Sequence, residues 1–201
     1  LMASYAYYSQ DYYEDAISEL ERFIKVYPNN INVDYAYYLL ANSYYETIVD
    51  EKKDLESIIN ARKNFNILIN NYPNTEYALD ASFKMDLIND ILASKEIYIG
   101  RYYLERKKWI PAINRFKNVL KNYETTDHVE EAIHRLVEIY YKIGLVDQSK
   151  KYASLLGYNY QSSEWYAESY RVFNKNYQDP KEKIKKKKGN FIKRKFKTIL
   201  E

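Results

Sequence analysis

"SYAYYSQDYYEDAISELERFIKVYP", residues 4–28, carries a spaced series: Ser4, Tyr7, Ala16, Leu20, Phe23 and Pro28. The same series recurs down the chain. Tyr103 is followed by Ala112, Phe116 and Val119, with Glu124 where the proline would stand. Tyr140 is followed by Ser149, Ala153, Leu156 and Gln161. Tyr44 leads to Ala61, Phe65, Leu68 and Pro73 after an eight-residue insertion around "TIVDEKKDLESI". Three residues before each tyrosine stands Ser4, Ala41, Gly100 or Val137, small in three of the four copies.

A small residue, a tyrosine, an alanine, a large apolar residue and a closing proline on two antiparallel helices form the tetratricopeptide pattern. The small residues let the two helices of a hairpin approach closely. The tyrosine and the Phe or Leu fill the space between hairpins, and proline ends the second helix because it lacks an amide hydrogen. The fold expected is all-α: a right-handed tetratricopeptide-repeat superhelix of antiparallel hairpins, with Tyr7, Tyr44, Tyr103 and Tyr140 in its core.

Residues two before and one after each core tyrosine project from the first helix of the hairpin, the helix that lines the concave side of such a superhelix. They are Tyr5 and Tyr8, Asn42 and Tyr45, Arg101 and Leu104, and Glu138 and Tyr141, with Tyr35 and Tyr38 on the same stripe. The first two units thus offer a peptide groove of Tyr5, Tyr8, Tyr35, Tyr38, Asn42 and Tyr45, and the last two offer charge.

Composition agrees with helices. The 201 residues are 46% apolar and 29% charged, with four glycines, four prolines and no cysteine. So few turn-formers suit helices with short connections. The absence of cysteine removes disulfides, thiolate metal sites and cysteine nucleophiles. No window approaches 18 uninterrupted apolar residues, the length that reads as a bilayer-spanning helix. Residues 181–201 hold ten Lys/Arg and two Glu, a net of +8, so the other 180 residues sum to 3 − 8 = −5. A nucleic-acid reading of the tail therefore does not account for the acidic remainder.

The expected domain covers residues 1–178, in units of about 1–30, 31–75, 76–125 and 126–161 with a capping helix at 162–178, followed by a basic tail at 179–201. "LMASYAYY" lies already inside a helix, so the N-terminus reads as truncated. The stretch "EYALDASFKMDLINDILASK" keeps Ala78, Ala81, Met85, Ile88 and Leu92 at helical spacing. It predicts one long helix from Tyr77 to about Arg106, roughly 45 Å at 1.5 Å per residue. Ser162 or Ser163 is the expected N-cap of the last helix, Trp165 its inward anchor, and Pro180 the end of the folded part. In the tail, Ile192, Phe196 and Ile199 share a helical face among lysines, which suits weak, salt-sensitive attraction to anionic lipid head groups, the alternative being a disordered, solvated tail.

Catalytic machinery is missing from the sequence. Four scattered glycines make no phosphate-cradling loop. Glu131 and His134 form one Glu-x-x-His pair, whereas a carboxylate di-iron site needs two such pairs and two more glutamates. His134 is expected at the surface of the groove, and no metal, cofactor or enzyme activity is expected.

"NNINVDYAYYLLANSYYE" (29–46), "YIGRYYLERKKWIPAINRFKNVLKNY" (98–123) and "VEEAIHRLVEIYYKIGLVDQSKKYASLLGYNYQSSEWY" (129–166) resemble the BamD family of outer-membrane assembly lipoproteins. The resemblance runs from residue 1 to about 177 and includes the insertion and the long helix. The family has five units and a lipid-bearing cysteine; this chain shows four units and no cysteine. The resemblance implies a non-enzymatic scaffold on the periplasmic face of the outer membrane, with other Bam lipoproteins as neighbours and a lipid anchor that this chain does not carry. It implies that the N-terminal units receive unfolded outer-membrane proteins and that the C-terminal units dock on the periplasmic domains of BamA. Asn114 and Arg115 match the family's docking pair, and Arg106, Lys107 and Lys108 add basic charge for an acidic partner. The rival reading is a generic periplasmic repeat adaptor for another envelope complex.

Overall fold

The computed structural model describes residues 1–48, 55–161 and 163–175. Among them, every regular element is helical. The elements are α1 (Met2–Tyr8), α2 (Tyr13–Val26), α3 (Val33–Glu46), α4 (Leu55–Asn71), α5 (Glu76–Glu105), α6 (Trp109–Asn122), α7 (His128–Lys142), α8 (Val146–Asn159) and α9 (Glu164–Phe173). The fold is all-α and tetratricopeptide-like, with α5 spanning 30 residues almost where the sequence predicts. The basic tail, Pro180, Ser162 and residues 49–54 of the insertion lie outside the described residues.

The chain divides into two packed units, Leu1–Lys95 and a second from Glu96 onward, and the division falls inside α5. In the first, α1 packs on α2, α2 on α3 and α3 on α4, while α1 also touches α3. In the second, α6 and α8 pack on α7, and α9 covers both α7 and α8.

The repeated residues explain the packing. Ala16, Leu20, Ala61, Phe65, Leu68, Ala112, Phe116, Val119, Ser149 and Leu156 are all fully buried. Each lies on the inner face of a second helix, where spacings of three and four keep side chains on one stripe.

Two turns repeat with the hairpins. Within a hairpin, the chain reverses at Asp11, Lys107 and Gly144, which share positive φ values of 63°, 55° and 83°. The tyrosine carbonyl closes each reversal: Tyr12, Lys108 and Leu145 donate their backbone N–H to Tyr7, Tyr103 and Tyr140. This left-handed residue satisfies carbonyls that the helix end would leave unpaired. Between hairpins, Tyr27, Tyr72, Tyr123 and Tyr160 each accept a backbone bond from the residue three later. The second helices α6 and α8 end two residues before Glu124 and Gln161, just as α2 and α4 end two before Pro28 and Pro73. The turn, not the proline, sets the helix end.

One core expectation is corrected. Tyr140 is buried and Tyr44 and Tyr103 are half-buried, but Tyr7 is 40% exposed. A tyrosine at this register reaches back to the preceding second helix: Tyr44 donates to Glu21 Oε1 of α2 at 2.7 Å, and the Tyr140 ring lies 5.9 Å from the Lys117 ammonium of α6. Helix α1 is the first of the described helices, and Tyr7 at the same register stays exposed.

Candidate functional site

In the first unit, three helices bring tyrosines together. Tyr35, Tyr38 and Tyr45 fall on one face of α3 at steps of three and seven, and all three are half-buried. Helix α5 lays Tyr77 against the first two, with ring centroids 5.3 Å from Tyr35 and 5.1 Å from Tyr38. Helix α1 adds Tyr5, 54% exposed, and Tyr8, whose ring meets Tyr13 edge-on at 5.7 Å. The result is a strip of tyrosine faces across α1, α3 and α5.

A polar bracket holds the strip. The Tyr38 hydroxyl donates to Asp80 Oδ2 at 2.7 Å. The Lys84 ammonium donates to Asn42 Oδ1 and stands 5.8 Å from both the Tyr38 and Tyr45 ring centres. Lys84 also lies 3.7 Å from Asp80. Asn42 in turn donates to the Tyr38 carbonyl at 2.8 Å. Burial and the bond to Asp80 push the Tyr38 phenol up to about 12, and burial also raises Tyr8 and Tyr35. These phenols stay neutral near pH 7. The strip offers flat aromatic area, hydroxyls and one ammonium, which is chemistry for binding side chains and amides.

Asn42 is corrected here: it is 1% exposed and does not line a groove. An amide at that depth must be paired, and it is, between the α3 backbone and Lys84. Sequence reasoning missed Tyr77, Asp80 and Lys84. Their signal is position: each immediately precedes a core residue of α5, namely Ala78, Ala81 and Met85, which places the trio beside the buried face.

In the second unit the same register carries charge. Glu131, 5% exposed, receives the Arg101 guanidinium through Nε at 2.6 Å and Arg135 Nε at 3.2 Å. Burial alone would raise its pKa, but the two arginines outweigh burial and hold it below the ordinary carboxylate range. Arg135 also donates to Glu138 at 2.7 Å and sits 5.3 Å over the Trp165 ring. Leu104 is half-buried, and Tyr141 meets Phe173 edge-on at 5.4 Å.

His134 is not a groove-surface histidine. It is 5% exposed, hydrogen-bonded through Nδ1 to Ser169 Oγ at 2.9 Å, with its ring tilted against Trp165 at a centroid distance of 5.1 Å. Helix α9, begun by the Ser163 side chain accepting the Trp165 N–H at 3.2 Å, lays these two residues over it. Burial lowers the His134 pKa, so the ring is neutral near pH 7. Among the described residues no group of three His, Cys, Asp or Glu could hold a metal. Among them, too, no helix is long and apolar enough to cross a membrane.

Asn114 and Arg115 line an open depression on α6 with Tyr103, Pro111 and Ile110, the last 74% exposed. Arg115 is already paired: its Nη1 donates to both carboxylate oxygens of Glu96 at 3.1 and 3.2 Å. Arg106 packs its guanidinium 3.6 Å above the Tyr102 ring and donates to the Tyr102 carbonyl at 3.3 Å. Lys107 is exposed at the left-handed corner of the α5–α6 turn.

Comparison with known proteins places these helices in a family. The family described as YfiO, outer membrane lipoprotein, matches residues 1–156. A Rickettsia prowazekii protein named outer membrane protein assembly factor BamD is 49% identical over 89% of this chain and 71% of its own length. Its namesake from Caulobacter vibrioides is 44% identical over 88% of this chain, which spans 58% of that protein. The namesake from Xylella fastidiosa strain Temecula1 is 33% identical over 70% of the chain and 52% of its own length. With the matched residues running from α1 into α8, the chain belongs to the YfiO family of outer membrane lipoproteins.

Proposed function

We propose that this chain is a non-enzymatic scaffold in the assembly of outer-membrane proteins, held at the periplasmic face of the outer membrane by a lipid anchor outside this sequence. Its tyrosine strip receives unfolded barrel proteins, and the Arg115 region of its second unit docks on the periplasmic domains of BamA, beside other Bam lipoproteins. The observation that carries this reading is the strip itself: Tyr35, Tyr38 and Tyr45 with Tyr77, half-buried and bracketed by Asp80 and Lys84. Tyrosine supplies large, rigid contact area with two side-chain torsions to order, which suits a surface that binds many clients. The names of the relatives supply the process, outer membrane protein assembly.

The test is crosslinking of the chain to peptides from an unfolded barrel protein. Tyr38→Ala with Tyr45→Ala should weaken capture, each change removing about 1 kcal/mol of contact. Tyr38→Phe should retain most of the capture, because the ring stays and only the hydroxyl to Asp80 is lost. Unchanged capture by the double alanine variant would reduce the strip to ordinary partly covered surface.

A further inference from the structure

The second unit carries a row of charges that the Arg115 contact does not involve. Glu131, Arg135, Glu138 and Lys142 follow one another along α7 at steps of four, three and four, so they share one stripe of the helix. Arg101 of α5 joins the row at Glu131. The ion pairs then run from Glu131 to Arg135, from Arg135 to Glu138 at 2.7 Å and from Glu138 to Lys142 at 3.9 Å. Cations alternate with carboxylates and outnumber them. Depth also sorts them by sign at the ends of the row. The Arg101 and Lys142 side chains are 49% and 51% exposed, against 7% for Glu131 and 21% for Glu138. Solvent therefore meets mainly the cations, with the carboxylates beneath.

The guanidinium groups are only partly engaged. Among the described residues, Arg101 bonds Glu131 through Nε and Nη2 and leaves Nη1 over. Arg135 bonds through Nε and Nη1 and leaves Nη2 over. A guanidinium has more donors than one carboxylate takes, so it can receive a second. From Arg135 to Lys142 is seven residues, about 10 Å along α7, which suits two carboxylates of one segment better than a single ion. Aromatic area flanks the row: Trp165 lies against Arg135, and Tyr141, 41% exposed, meets Phe173. Glu131 and Glu138, with Glu168 of α9 at the border, repel a plane of anionic lipid head groups. Glu96, which pairs with Arg115, precedes Arg101 by five residues. That is a turn of about 140° around α5, so the row stands on another side of that helix.

We propose that this row is a docking surface for an acidic segment of a protein partner. Carboxylates of the segment bind Arg101, Arg135 and Lys142, and its apolar residues cover Trp165 and Tyr141. The surface depends neither on the tyrosine strip nor on the role of Arg115.

The probe is a peptide with two glutamates four residues apart among leucines, set against its glutamine counterpart and against phosphatidylglycerol vesicles. A photo-crosslinking residue at Tyr141 of the full chain reads capture at the row, and one at Tyr158, 86% exposed on α8, is the control. Tyr141 should capture the glutamate peptide about tenfold better than the glutamine peptide, and Tyr158 should capture neither. Arg101→Gln with Lys142→Gln should abolish the preference. Glu131→Gln removes the carboxylate that competes for both guanidiniums and should raise capture, whereas mere loss of packing would lower it in both variants. Circular dichroism checks that each variant is folded. Equal capture of the two peptides, or capture that survives Arg101→Gln with Lys142→Gln, overturns the surface. So does capture that is equal at Tyr141 and Tyr158, or binding of the vesicles but not of the glutamate peptide.

Discussion

Gly100 shows how a single residue sets a hairpin. An added Cβ there would stand 2.6 Å from Phe116 Cε1 and 2.7 Å from Cζ, inside any real contact. The Phe116 ring fills the space that a side chain would need. The register offers the same reciprocity elsewhere: Ser4 with Leu20, Ala41 with Phe65, and Val137, the large exception, with the small Ala153. Gly100→Ala gains up to about 1 kcal/mol of helix propensity but forces overpacking worth roughly 1–3 kcal/mol. The expected net is a lower urea midpoint, restored in part by Phe116→Leu. The left-handed corners make the opposite prediction. Lys107 holds φ of 55°, a conformation costing an L-residue about 1 kcal/mol or more. Lys107→Gly relieves that strain at some cost in unfolded-chain entropy, so thermal melting should be unchanged or slightly higher. Gly144, at φ of 83° with open space around it, should lose about 1 kcal/mol on becoming alanine. A lower melting temperature for Lys107→Gly would show that its side chain, not its backbone, matters there.

At the scale of elements, what was legible in the sequence was whatever a helix settles by itself. The repeat register found the buried faces of α2, α4, α6 and α8, and the stripe from Ala78 to Leu92 found α5 within a residue or so at each end. Ser163 as a cap was legible because capping is local. Whatever depends on a second element was not. Tyr7 carries the same spacing as Tyr140, yet Tyr140 is buried against Lys117 of α6 whereas Tyr7 is exposed. Asn42 sits on the face with Tyr38 and Tyr45 but is covered by Lys84 of α5. His134 lies on the outer face of α7 until α9 brings Ser169 and Trp165 over it. That last contact makes the second unit acid-sensitive. Burial lowers the His134 pKa from its ordinary value near 6.5, against the opposing pull of Glu138, 3.7 Å from Nε2, with Glu131 and Glu168, and with the help of Arg135. The unfolded chain thus binds a proton more readily than the folded one. Stability from the neutral ring is complete above about pH 6.5 and declines as pH falls below it. Glu131, also lowered, loses its contribution further down, as pH falls below the ordinary glutamate range. Melting temperature should therefore fall between pH 7 and 5, and His134→Gln should flatten that fall while costing stability at pH 7. An equal slope in the variant would place the proton uptake elsewhere.

For the whole molecule, the two proposed roles fall on surfaces of different chemistry. The tyrosine strip lies in the first unit, and the Arg101, Arg115 and Arg135 pairs with glutamates lie in the second, where Arg115 is the proposed contact to BamA. The pairing of Arg115 with Glu96 changes how that contact must be tested. Arg115 is 42% exposed and Glu96 15%, so the guanidinium lies at the surface with its intrachain carboxylate beneath it. A guanidinium has donors on both sides of its fork and can hold one carboxylate while receiving another. Arg115→Glu alone would set two carboxylates together and confuse lost docking with lost packing. The reciprocal exchange, Arg115→Glu with Glu96→Arg, keeps the pair and reverses the charge that a partner meets. The exchange keeps one cation–carboxylate pair at this partly covered site, where such a pair contributes on the order of 1 kcal/mol, so the melting temperature should shift only slightly. Removing one member of a charge pair desolvated between two proteins costs roughly 2–5 kcal/mol, so binding to the periplasmic domains of BamA should fall by more than tenfold. A reversed acidic residue on BamA should restore it. Normal BamA binding by the exchanged chain would mean that Arg115 serves Glu96 and the α5–α6 packing alone, and that docking lies on another face.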